Sequence, residues 1–313
     1  MVLLQVNNLH MHFQTEDSFI KVLRGVTFSI KKQETLGIIG ESGSGKSQIA
    51  LSILKLFHKN QSIYKGDIIF QKEIISTFTE KQMRHIRGTK ISMIFQDPMS
   101  SLNPSLKIKT QMTEIFQLHY QIPYLEALRK SIDMLKQVEI LEPERILESY
   151  PYQLSGGLCQ RVFIAMALAC QPELLIADEP TTAIDVLTQK EILHLIAKMQ
   201  HKYKMSMLFI THDLGIVSSL VQNIIVLYKG MIIEKAPSSE IFKNPLHPYT
   251  KKLLNDFFMT SIYKKQYKKN TNLFEAQNDI FDFYMFKNYL EPDPDFLEVT
   301  KNHFISCTLK RHS

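Results

Sequence analysis

The sequence predicts an α/β fold: a mostly parallel sheet, an antiparallel β section before it, a helical insert and a small C-terminal extension. Three observations carry this expectation. Short β-branched apolar runs alternate with longer amphipathic segments. A glycine-rich turn, Gly40–Ser47, stands between one such run and a helical stretch. Between Asp97 and Leu154 the strand-like runs give way to helical periodicity.

Taken in order, Val2 to Ile30 alternates loosely and reads as an antiparallel meander. Thr35–Ile39, Leu174–Ala177, Met207–Ile210 and Ile224–Tyr228 are continuous apolar runs, as expected of parallel strands buried on both faces. Ser47–Phe57 reads as a helix. The insert includes a helix from Tyr124 to Glu139 with Ala127, Leu128, Ile132 and Leu135 on one face. Pro237 and the proline-punctuated run Asn244–Tyr249 mark the last boundary. Residues 258–313 form a separate tail, with a basic cluster (Lys264, Lys265, Lys268, Lys269) followed by acidic residues from Glu275 to Glu298. Its 56 residues hold 11 of the 31 aromatics, which argues for a segment that folds onto something.

Composition narrows the class without naming a chemistry. The 313 residues suggest about two domains and a core large enough to fold unaided. The net charge of +6 permits contact with an anionic ligand, nucleic acid or membrane surface and demands none of them. No apolar run approaches the roughly 18–20 residues of a spanning helix; the longest clean one is Val162–Cys170. The N-terminal MVLLQVNN lacks the basic region of a signal peptide. Cys159, Cys170 and Cys307 show no CxxC spacing, so a disulfide framework or zinc knuckle is not expected and a reducing, cytoplasmic setting is. Fourteen scattered methionines read as core filler. His10 and His12 share one strand face but have no evident third metal ligand.

Four groups of residues carry chemistry. Gly40-Glu41-Ser42-Gly43-Ser44-Gly45-Lys46-Ser47 matches the phosphate-loop pattern, with a strand before it and a helix after it. Its glycines let successive N–H groups face phosphate oxygens at a helix N-terminus. Lys46 would reach the β- and γ-phosphates, and Ser47 would ligate Mg²⁺. Asp178 and Glu179 end an apolar strand. Asp178 can hold the Mg²⁺ shell while Glu179 polarises the attacking water, a division that suits phosphoryl transfer. Without the phosphate loop, the run Asp178-Glu179-Pro180 would be an ordinary loop start. Ser155-Gly156-Gly157 at a helix start forms a second anion site, for a nucleotide bound by another subunit; the plain alternative is a helix cap by Ser155. Gln96 and His212 each follow a strand, placed to touch Mg²⁺ or the water and the γ-phosphate respectively.

With these elements in order, residues 1–235 resemble the nucleotide-binding subunits of ATP-binding cassette (ABC) transporters. Gly40–Ser47 matches the Walker A motif and Gln96 the Q-loop; Leu154–Gln160 matches the signature, with Ser155, Gly156, Gly157 and Gln160. Leu174–Glu179 matches Walker B, Asp185 the D-loop and His212 the switch histidine. The resemblance adds Gln48 to the nucleotide contacts and gives Phe13, with Phe19 as alternative, as the aromatic that stacks on adenine. It implies an ABC-type phosphate-loop fold with a helical subdomain at about 97–157, and an extension at 236–313.

Phe95–Ser105, Gln160–Leu187 and Asn244–Leu254 narrow the likeness to the oligopeptide, dipeptide and nickel importer ATPases. That subfamily implies ATP and Mg²⁺, a second and paralogous ATPase subunit, two transmembrane permease subunits, an extracytoplasmic solute-binding protein, and a peripheral place on the cytoplasmic face of the membrane. It implies no nucleic acid. The cargo stays open between peptides, nickel and metal chelates. A soluble ABC ATPase acting on DNA or ribosomes is the rival reading, weakened by the single phosphate loop and the short insert. A degenerate cassette that binds without hydrolysing is opposed by Glu179 and His212. Leu158-Cys159, Gln33 and Ile184 depart from the family pattern and remove no catalytic group.

Many relatives carry four cysteines in the tail, consistent with an iron–sulfur cluster, whereas Cys307 is the only one in this tail. One thiolate cannot hold a Cys₄ cluster. Purified protein is therefore expected to contain neither iron nor acid-labile sulfide, which a colorimetric assay of both checks.

Overall fold

The computed structural model describes residues 1–14, 18–57, 60–182, 184–260, 281–282, 296–306 and 308–309. The chain opens with β1 (Val2–Gln14), β2 (Phe19–Lys31), β3 (Thr35–Ile39), α1 (Lys46–Leu54), β4 (Gln61–Phe70) and β5 (Glu73–Ile74). Then come α2 (Glu80–Ile86), β6 (Ile91–Ile94), α3 (Pro98–Ser101), α4 (Ile108–Tyr120), α5 (Tyr124–Gln137), α6 (Pro143–Glu148), α7 (Gly156–Leu168), β7 (Leu174–Asp178), α8 (Val186–Tyr203) and β8 (Ser206–Ile210). The last stretch holds α9 (Leu214–Leu220), β9 (Asn223–Tyr228), β10 (Met231–Pro237), α10 (Ser238–Lys243), α11 (Pro248–Thr260), β11 (Phe281–Asp282), β12 (Phe296–Thr300), β13 (His303–Ser306) and β14 (Thr308–Leu309). These elements fall into two compact units, Met1 with Lys31–Glu34 and Thr77–Ile210, and Val2–Ile30 with Thr35–Ser76 and Thr211–Ser313.

In the first unit β6, β7 and β8 run parallel, Ile91 beside Leu174 and Leu174 beside Ser206. Every residue of the three strands is buried, which is why their sequences are apolar without alternation. The helical insert is present as α3 to α6 with the start of α7. Phe116 of α4, Ala127 of α5 and Ala169 after α7 share a core cluster, with Ile115 and Ile122 packed against it. The buried face of α5 is Ala127, Ser131, Met134 and Leu135, whereas the expected Leu128 and Ile132 are half-buried. Ser131 can occupy the core because its hydroxyl donates to the Ala127 carbonyl at 2.8 Å.

In the second unit β1 and β2 belong to a sheet of order β2-β1-β4-β5, with β1 antiparallel to β4. The antiparallel section thus reaches beyond Ile30, because β4 and β5 complete it. A second set of strands follows the order β12-β13-β10-β9-β3, in which β3 and β9 are parallel. Helix α1 ends at Leu54, short of the expected Phe57, because Lys55 turns left-handed (φ 50°) and its N–H bonds back to the Leu51 and Ser52 carbonyls. The cluster Lys264–Lys269 and Cys307 lie outside the described residues.

The proline-punctuated boundary separates α10 from α11. His247 precedes Pro248, the first residue of α11, and acts as its cap: Nδ1 accepts from the Tyr249 N–H at 3.0 Å, and its carbonyl accepts from the Lys251 N–H. Burial lowers the His247 pKa to about 4; nearby Glu234 opposes this and Lys251 adds to it. The neutral ring is the form that can accept. Between about pH 4 and 6.5 the unfolded chain binds the proton that the native state refuses, so stability rises with pH across that window. Acidification from about 6.5 to 4 should cost on the order of 3 kcal/mol through this residue. Denaturant unfolding at stepped pH checks it: His247→Asn, an uncharged cap, should show a flatter slope, and equal slopes would contradict the assignment.

Candidate active site

The second unit builds the phosphate loop. β3 delivers the chain to Gly40, where an added Cβ would stand 2.3 Å from the Leu227 carbonyl oxygen, so only glycine fits. At Gly45, which caps α1, φ is 105°, a conformation side chains resist. Between them Glu41, Ser42 and Gly43 are exposed and Ser44 is buried, as is Lys46 just after Gly45. The Lys46 ammonium, 5% exposed, donates to the Gly40 and Glu41 carbonyls at 2.9 Å each. Ser47 and Gln48 are half-buried on the first turn of α1. The loop is also held from outside, by Gly230 N–H to the Ser44 carbonyl at 2.9 Å and Glu41 N–H to the Tyr249 hydroxyl at 3.1 Å.

His212 and Phe13 lie in the same unit. His212 is exposed between Thr211, whose N–H reaches the Ile38 carbonyl, and Asp213, which caps α9 through the Gly215 N–H. Phe13 is half-buried opposite Gln61, whereas Phe19 is 63% exposed with its ring edge-on to His12 at 4.7 Å. His10 bonds Asn8 and His12 bonds Ser62, and no group of three or more His, Cys, Asp or Glu residues that could hold a metal ion occurs among the described residues.

The first unit builds the carboxylate half. β7 ends at Asp178, only 4% exposed. Glu179 then turns left-handed (φ 48°), and its N–H donates to the Ile210 carbonyl at 2.8 Å. This strained residue is held by its side chain: Oε2 accepts from Gln96 Nε2 at 2.8 Å and from the Thr182 hydroxyl at 3.1 Å. Gln96 and Glu179, 83 positions apart, are thus brought together. Asp185 caps α8 by accepting from the Leu187 and Thr188 N–H groups, and these bonds, first among them the Thr188 one, lower its pKa.

Ser155 caps α7, its hydroxyl accepting from the Leu158 N–H at 3.3 Å. Ser155 and Gly156 are exposed, and Gly157 lies so close to α8 that a Cβ would meet Thr188 Cγ2 at 2.7 Å. Gln160 is fully buried and donates to the Pro180 carbonyl at 2.7 Å, bracing the helix against the turn that follows Glu179. Cys159 is also buried, and desolvation pushes its thiol up to about 11.

Sequence reading overlooks Thr182, Arg161 and Tyr249. Arg161 links the Val138 carbonyl, Glu139 and Glu191, tying α7 to the end of α5 and to α8. Only the position of Thr182, three residues after Glu179, was available as a signal.

Comparison with known proteins decides the family. Residues 23–182 match the ABC transporter family, and residues 233–277 match the oligopeptide/dipeptide transporter C-terminal region. The chain belongs to the ABC transporter ATPases. It is 49% identical over 255 residues to the "probable peptide ABC transporter ATP-binding protein" of Sinorhizobium fredii, covering 81% of this chain and 76% of that one. It is 46% identical over 253 residues to the oligopeptide transport ATP-binding protein OppD of Bacillus subtilis, covering 80% and 71%. A dimeric, post-hydrolysis ATP-binding cassette bound to ADP and Pi superposes with a TM-score of 0.68 at 28% identity, over 75% of this chain and 99% of that one. The ABC ATPase has the α/β character its sequence predicts, and no described helix is long and apolar enough to cross a membrane.

Proposed function

We propose that this ABC ATPase powers the import of oligopeptides or dipeptides, with residues 1–235 as the cassette and 236–313 as an extension. The match of residues 233–277 to the oligopeptide/dipeptide transporter C-terminal region, beside relatives named for peptide transport, carries the cargo reading. It favours peptides over nickel or chelates. The ATPase works at the cytoplasmic face of the membrane with two permease subunits and a paralogous ATPase partner, and receives cargo from a solute-binding protein.

In the proposed cycle the N–H groups from Glu41 to Gln48 and the Lys46 ammonium hold the ATP phosphates, while Phe13 stacks on adenine. Ser47, Gln96 and Asp178 supply the hard oxygen donors that suit Mg²⁺, and the ion neutralises phosphate charge during transfer. Glu179 acts as the base toward the attacking water. Its bonds from Gln96 and Thr182 hold the carboxylate in place. His212 senses the γ-phosphate. Ser155, Gly156 and Gly157 complete the site of the partner cassette, a role that suits the exposure of Ser155 and Gly156, with Asp185 beside them and Gln160 as the buried brace.

Two outcomes test this. Glu179→Gln should retain ATP binding and lose about 10²-fold or more in turnover; wild-type hydrolysis would remove Glu179 from the base role. In mixed dimers, Ser155→Ala should impair hydrolysis of the nucleotide held by the partner's phosphate loop. Impairment confined to its own chain's nucleotide would exclude the shared site. Cargo is read by competing labelled oligopeptide against nickel in uptake by the assembled transporter.

A further inference from the structure

Glu234 is an acidic residue in the middle of a strand, and its side chain is wholly buried. A register shift between Ile232 and Glu234 in the β9–β10 pairing changes where it points. Its carboxylate accepts three hydrogen bonds: from the Leu246 N–H at 2.8 Å, the His247 N–H at 3.0 Å and His303 Nε2 at 2.7 Å. A buried carboxylate is tolerable only with such donors. Two of them come from the loop before α11 and the third from β13.

The β12–β13 hairpin is thereby fixed to the cassette. β13 pairs with β10 at only two positions, Glu234 with Ile305 and Lys235 with Phe304. Ile305 is buried with Leu246, Leu297 and Val299 around it. The hairpin therefore presses on the same loop that Glu234 grips.

That loop leads directly to the nucleotide motif. His247 accepts from the Tyr249 N–H. The Tyr249 ring packs on Tyr228 with centroids 4.4 Å apart, and its hydroxyl accepts from the Glu41 N–H at 3.1 Å. On the other side of Glu41, its carbonyl accepts from Lys46 Nζ at 2.9 Å and from the Ser44 N–H at 3.2 Å. Glu41 is gripped at both ends, so its two peptide planes set how the following N–H groups are aimed.

We propose that the C-terminal hairpin sets the phosphate loop through the relay His303, Glu234, His247, Tyr249 and Glu41, with Tyr249 as the positioning residue that touches the loop. The proposal rests on Gly40–Ser47 holding the ATP phosphates. Burial keeps the Tyr249 phenol protonated, its pKa pushed up to about 12, so this link holds across the physiological range. Cassettes carrying this extension would then bind nucleotide with an affinity that depends on a segment outside the catalytic motifs.

The test uses the full chain, MANT-ATP as the probe and hydrogen exchange of the peptide spanning Glu41. Tyr249→Phe keeps the ring and removes the acceptor. It should raise the MANT-ATP dissociation constant by about three- to tenfold and speed exchange at Glu41. His303→Leu should do the same from the far end of the relay, while His303→Gln, whose amide can replace the Nε2 donor, should restore wild-type values. A merely structural role for the hairpin would not give rescue together with a change localised to Glu41. Unaltered affinity and exchange in Tyr249→Phe would overturn the relay, even if His303→Leu fails to fold. Lys46→Ala separates the two readings: if it leaves MANT-ATP binding intact, the phosphate-loop assignment itself falls and the proposal with it.

Discussion

The curl of backbone between β3 and α1 is the constraint on which the chemistry depends. At Gly40 the chain passes so close to the Leu227 carbonyl that no side chain can be accommodated. The turn directs the Gly40 and Glu41 carbonyls at one ammonium, Lys46, which is nearly buried. A buried ammonium needs such acceptors, and clustered carbonyls need such a donor. Each therefore stabilises the other. In the proposed function this loop is the cradle for the ATP phosphates, and Lys46 would exchange its carbonyl partners for phosphate oxygens.

The carboxylate half obeys the same economy of satisfied groups. A non-glycine residue in the left-handed region costs about 1 kcal/mol or more. Glu179 adopts it because its N–H finds Ile210 and its side chain finds Gln96 and Thr182. The strain aims the carboxylate away from the direction a continued strand would give it. Asp178, still in the strand, stays in the interior. Two adjacent acids acquire different surroundings through one backbone torsion, which is what different roles require.

Much of this was legible in the sequence, for identifiable reasons. β3, β7, β8 and β9 were readable because strands covered on both faces carry near-continuous apolar runs. The phosphate loop was readable because its glycines answer to local backbone geometry. The buried face of α5 was misplaced because a serine hid in it: Ser131 satisfies its hydroxyl within its own helix and then packs like an apolar residue. The end of α1 was missed because a lysine, not a glycine, takes the left-handed cap. Glu234, His303 and Tyr249 could not be connected at all. The hydrogen-bond partners of their side chains lie 12 to 208 positions away, and no local pattern records a contact of that kind.

Ser155 poses the remaining question, because the sequence allowed it to be either a helix cap or an anion site. The two readings do not compete for the same atoms. As a cap, the hydroxyl oxygen uses a lone pair to accept from the Leu158 N–H. A hydroxyl also carries one proton, and an oxygen already accepting a hydrogen bond is a stronger donor through it. The cap fixes the side chain at the helix N-terminus, where the backbone dipoles favour negative charge and where Gly156 adds no bulk. Gly157 and Gln160 hold that end of the helix against α8 and the turn after Glu179. In the proposed shared site, capping is thus what would position the serine for the partner's phosphate, and an alanine there would lose the cap and the donor together.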